Sequence, residues 1–172
     1  FVQDNLSSLF ETVHQHLTQR EHAPSYEEET AGVEKLLGVF ERVRADNFYP
    51  SLVSKAACLF IQINKGHFFS NGNKRLALAI AVGFLQINES PIQQLPHITY
   101  HTYHKKLTEL FPTFTNYQNF NDFHPEEFGF YHLSIIVADS AKYIQSFDEL
   151  KEKVESFIKF SIESSHLCGG IS

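Results

Sequence analysis

The stretch His67-Phe68-Phe69-Ser70-Asn71-Gly72-Asn73-Lys74-Arg75 puts a titratable imidazole, two amide side chains, a glycine and an adjacent lysine and arginine into one short turn. Apolar, helix-like segments flank it, from about Ser51 to Lys65 and from about Asn73 to Gln86. A polar turn that opens a buried helix presents unpaired backbone amides at the positive end of the helix dipole, which is a site for an anion. Lys74 and Arg75 add formal charge at the same place, and His67 is a titratable base just upstream. The chemistry these residues suggest is a phosphate held beside a proton acceptor.

The elements that must position this turn read as helices. Asp4 or Asn5 can cap a first helix with Leu6, Leu9, Phe10, Val13 and Leu17 on one face. Ser25 and Glu28 have the spacing of a capping box for a second helix reaching about Val43, with Ala31, Val33, Leu36, Leu37, Phe40 and Val43 inward. The acidic run Glu27-Glu28-Glu29 reads as a solvated helix start. Gly66 is the expected C-terminal cap of the helix before the turn. The helix after the turn is apolar nearly all round, which places it at the domain centre. Two further helices are predicted over about 125–143 and 148–162. Between them and the turn, the segment 96–125 mixes Tyr100, Tyr103, Phe111, Phe114, Tyr117, Phe120 and Phe123 with polar residues. It reads as a surface packing or partner-contact region, helical over about 97–110. His97, His101 and His104 share a face there, a row that could bind zinc, but no acidic or cysteine ligand joins them locally. With no convincing strand and no repeat, the expected fold is all-α, about six or seven helices around a central buried helix.

Composition sets the outer bounds. The chain has 172 residues, 42% hydrophobic and 20% charged, as in an ordinary globular domain, and it reads as a single domain over 1–172 with a frayed tail at 165–172. A net charge of −6 argues against an extended nucleic-acid surface while leaving a local basic spot untouched. The two cysteines do not make a disulfide framework, and Cys58 reads as a reduced core residue. No signal-peptide pattern is visible and 76–85 is too short to span a bilayer, so the expectation is a cytoplasmic protein without a membrane partner.

The run His67-x-Phe69-x-Asn71-Gly72-Asn73-Lys74-Arg75 resembles the motif of the Fic/Doc family in its death-on-curing (Doc-like) form, which that family sets between two buried helices of an all-α core. The resemblance covers about Glu28 to Asn88 well and the last helices more loosely, with 89–125 looking like an aromatic-rich insertion. It implies a transferase that moves a phosphate-containing group from ATP, with Mg2+, to a hydroxyl of a target protein. By that resemblance His67 is the catalytic base and Phe69 anchors the loop. Gly72 and Asn73 form the phosphate turn, Lys74 and Arg75 bind the ATP phosphates, and Asn71 stands where an acidic residue usually holds magnesium. The stretch Arg20 to Thr30 matches the flap that clamps the target segment.

Two departures refine this. AMP-transferring members carry glycine at the position of Lys74 and a second arginine at that of Leu78, so this chain resembles the kinase-like branch, a toxin restrained by an antitoxin or another inhibitor protein. The other departure is Asn71, whose neutral amide binds magnesium more weakly than a carboxylate. AMP transfer and a catalytically inactive binding module are therefore the alternatives. Ser7 to Glu11 loosely follows the family's self-inhibiting helix, but Thr12 breaks the pattern and Leu78 offers no cation for the glutamate, so the match reads as accidental.

Overall fold

In a computed structural model, residues 7, 8, 10, 11, 25–92, 99–118 and 124–163 are described. Their regular structure is six α-helices and one short 3-10 turn, with no strand among the described residues. The helices are α1 (Thr30–Val43), α2 (Leu52–Gly66), α3 (Asn73–Ile87), α4 (Tyr100–Leu110), α5 (Pro125–Ala138) and α6 (Phe147–Glu163); the 3-10 turn, Ser140–Lys142, follows α5. Residues 7, 8, 10 and 11 are helical as well, while most of the predicted first helix lies outside the described residues. So do His97 and the tail from 164 onward. The fold is all-α, as the patterning implied. No helix among the described residues is long and apolar enough to cross a membrane.

The chain falls into two compact units, Phe1–Phe84 and Leu85–Ser172. In the first, α1 packs on α2. The inward stripe of α1 is Gly32, Leu36, Val39, Phe40 and Val43, an i, i+4, i+7, i+8, i+11 pattern. Ala31 is exposed and Val33 only half-buried, so the stripe is rotated from the predicted one. The cause is local: the motif loop crosses Gly32 so closely that a Cβ there would strike the Phe68 carbonyl oxygen and lie 2.8 Å from the Phe69 ring. Helix α1 begins at Thr30 with Glu29 as N-cap and no side-chain cap, so Ser25 and Glu28 form a backbone turn (Glu28 N–H to Ser25 O, 2.9 Å) in place of the expected capping box. At its other end, Lys55 of α2 donates to the Val43 carbonyl at 2.9 Å and to Asp46 at 2.7 Å, satisfying a carbonyl that no later helical amide reaches.

Helix α2 begins at an N-cap serine, Ser51, whose hydroxyl accepts from Ser54 N–H at 3.0 Å. Residues 56–61 are buried without interruption, including Cys58, which stands in the core as a reduced thiol outside any disulfide. Helix α3 is buried along one stripe, Leu76, Ala77, Ile80, Ala81 and Leu85, while Leu78, Ala79 and Val82 are half-exposed. The sequence placed α3 at the centre; α2 is the helix of this unit surrounded on all sides through its middle turns. Leu78 and Val82 explain the difference, because they raise the apolar count of α3 while standing half-exposed on its outer side.

In the second unit α4, α5 and α6 pack on one another around aromatic rings. Tyr103, Leu107, Phe111 and Phe114 are all buried, and Tyr103 meets Phe157 and Phe160 at 5.7 and 5.5 Å between ring centroids. This corrects the surface reading of that segment: its buried aromatics are core, contributed at helical spacing from an element whose outer face is polar. Gly129 of α5 allows the approach, since a Cβ there would collide with the Tyr103 ring. His132 is buried as well, with Nδ1 donating to the Phe128 carbonyl at 2.8 Å and Nε2 accepting from Gln118 N–H at 2.9 Å.

Candidate active site

The turn between α2 and α3 is built from three constraints. The first is at His67. It follows the last residue of α2 with φ 45° and ψ 47°, the left-handed conformation predicted for Gly66. Histidine is among the residues enriched there, but the conformation is costly without glycine. Gly66 serves a different end, since a Cβ at that position would run into the Phe68 ring. His67 is thereby turned out of the helix and exposed at the start of the loop.

The second constraint is the anchor. Phe69 is buried, meeting Phe10 edge-on at 5.6 Å and Tyr26 at 5.0 Å, while Phe10 and Tyr26 stack at 5.2 Å. Edge-to-face contacts of this kind add to the burial of the rings themselves. Its backbone is held as firmly: Phe69 N–H donates to Asn73 Oδ1 at 3.0 Å and Asn73 Nδ2 donates to the Phe69 carbonyl at 2.7 Å. One amide side chain thus closes both polar groups of a residue four positions earlier.

The third is the turn itself. Gly72 has φ 77°, which favours glycine, and its N–H donates to Asn71 Oδ1 at 2.7 Å. The first helical bond of α3 runs from Leu76 N–H to the Gly72 carbonyl at 2.9 Å, so the amides of Asn73, Lys74 and Arg75 open the helix. Lys74 is exposed. Arg75 is half-buried, and its Nη1 is buried with no hydrogen-bond partner. Beside it, the Tyr26 hydroxyl is likewise buried and unpartnered; burial, partly offset by the Arg75 charge and reinforced by Glu29, raises its pKa to about 12. Unpaired buried donors are costly, and a guanidinium nitrogen is among the costliest, so this arrangement suits an incoming anion.

Glu29 was missed by the sequence reading. Its carboxylate accepts from Ser70 N–H at 2.9 Å and from the Ser70 hydroxyl at 2.5 Å, across 41 residues. A run of three glutamates at a helix start looks solvated from spacing alone, and only the tertiary approach of the loop singles out the third.

The predicted site residues His67, Phe69, Asn71, Gly72, Asn73, Lys74 and Arg75 therefore lie on one turn and the first turn of α3. Asn71 offers a metal one neutral carbonyl oxygen that already accepts from Gly72. No group of three His, Cys, Asp or Glu is placed to hold a metal among the described residues. Among the described residues the turn thus offers Mg2+ a single neutral oxygen, a weaker ligand than the carboxylate it usually takes from a protein. In the described part of the histidine row of α4, His104 packs on Tyr117 at 4.2 Å between ring centroids.

An exposed imidazole, a loop braced by hydrogen bonds and a cationic helix mouth set the class of site first: one in a helical protein where an anion could be brought beside a base. Residues 5–85, rather under half of the chain, match the model of the Fic/DOC family, so this part of the chain is similar to that family, whose members are generally transferases acting on proteins. No curated protein and no solved structure matches the chain.

Proposed function

We propose that this chain is a Fic-type transferase of the Doc-like branch that moves the terminal phosphate of ATP to a hydroxyl of a target protein, acting as the toxin of a toxin-antitoxin pair. The observation that carries this reading is Arg75 Nη1, buried and unpartnered at the mouth of α3, with His67 exposed at the other end of the same turn. Arg75, Lys74 and the opening amides of α3 take the phosphate oxygens. His67 accepts the proton of the target hydroxyl as its oxygen bonds to phosphorus and the bond to the ADP leaving group breaks. Phosphoryl transfer asks chiefly for placement and charge stabilisation, which a rigid turn supplies, plus one base. Any Mg2+ would come with the nucleotide, and Asn71 could lend it only the one neutral carbonyl oxygen that also accepts from Gly72 N–H.

That same Asn71 contact favours a second reading, a nucleotide-binding module without catalysis. Incubation with cell extract and ATP labelled at the α or the γ phosphate separates these readings. Label transferred only from γ-ATP supports the proposal. Label from α-ATP makes the protein an AMP transferase, and ATP binding without transfer makes it the silent module.

A further inference from the structure

From the Glu29–Ser70 contact we infer that Glu29, outside the motif, is the positioning residue of the phosphate turn; the inference rests on the reading of that turn given above. Phe69 is fixed by its buried ring and by Asn73. Ser70 is exposed and has neither support, and both its donors go to Glu29. Next come Asn71 and Gly72, the latter in a conformation that glycine leaves easily. The two residues are therefore bracketed by Asn73 on one side and by Ser70 on the other. Release of Ser70 would leave the bracket open.

The choice of residue points the same way. Glu29 stands at the N-cap of α1 yet makes no side-chain cap, and glutamate is not among the residues that helices favour there. Its carboxylate reaches across to the loop in place of its own helix. A two-armed, charge-assisted contact to one residue fixes orientation as well as distance. Glu29 touches no reacting group in this scheme; it acts through Ser70 on the amides that receive the phosphate.

The test compares wild type, E29A and E29Q in the full chain by amide hydrogen exchange over the loop and by ATP affinity. Glutamine can reproduce both arms without charge, its carbonyl accepting from Ser70 N–H and its amide donating to the rotated hydroxyl. E29A is expected to speed exchange at residues 69–73 and to weaken ATP binding, each by about tenfold, while E29Q stays within about threefold of wild type. Exchange in α2 should not change. Loop exchange in E29A equal to wild type overturns the inference, and so does tighter ATP binding by E29A, which would make Glu29 a competitor of the phosphate. If wild type binds no ATP but E29A still loosens the loop, the positioning role stands and the phosphate reading falls. Should E29A not fold, S70A removes the hydroxyl arm alone, and unchanged loop exchange in that variant overturns the inference.

Discussion

Asn73 closes both backbone polar groups of Phe69, with Nδ2 donating to the carbonyl at 2.7 Å and Oδ1 accepting from the N–H at 3.0 Å. Asn73 thus serves the turn as a brace, with its side-chain polar atoms engaged on the backbone of Phe69. Asn73→Ala leaves two part-buried backbone groups without partners and should lower stability by about 2–3 kcal/mol. Asn73→Asp keeps the acceptor and loses the donor, so it should fall between the two. Urea unfolding followed by circular dichroism checks the order.

Gly72 at φ 77° gives a second prediction. Gly72→Ala should cost about 1–2 kcal/mol, whereas Gly72→Asn, a residue that tolerates the left-handed region, should cost less. Equal losses for the two would contradict the backbone argument. The same urea midpoints decide it.

Gly32 tests how the loop is seated on α1. A methyl there meets the Phe68 carbonyl, a backbone atom that cannot swing aside, as well as the Phe69 ring. Gly32→Ala should destabilise by about 1–3 kcal/mol despite the better helix propensity of alanine. On the same helix, a methyl added at Gly38 would meet nothing within 4 Å, so Gly38→Ala should stabilise and serves as the control.

These cases show where the sequence was legible. Helix α2 could be bounded to within a residue because Ser51 caps it and its apolar run is long. The motif could be read because its chemistry is contiguous. Glu29 could not, since its partner is 41 residues away and its neighbours are also glutamates. The left-handed residue was assigned to Gly66 on composition alone, when the Phe68 ring claims that glycine and passes the conformation to His67. Along α4 and its C-cap the core positions Tyr103, Leu107 and Phe111 recur every fourth residue, but the polar residues and histidines between them hid the stripe.

His132 gives the second unit a pH dependence. Burial is the largest influence and lowers its pKa; the Phe128 carbonyl raises it in part, and nearby His104 lowers it further. A folded pKa below the unfolded value means that the neutral ring is favoured on folding. Its stabilisation is complete above the unfolded pKa of about 6.5 and is lost as pH falls below that value toward the lowered folded one. Protonation would also abolish the acceptor that Gln118 N–H uses. The urea midpoint should therefore fall between about pH 7 and pH 5, and His132→Leu should be less stable at pH 7 with a flatter profile. A wild-type midpoint constant over that range would contradict this.

The central claim is that one turn separates two jobs, phosphate seating at Arg75 and proton acceptance at His67. Titration of ATP into wild type, R75A and H67A by calorimetry tests it most directly. The account predicts that R75A loses binding by at least about tenfold while H67A binds as wild type does. R75A binding ATP as tightly as wild type would contradict it.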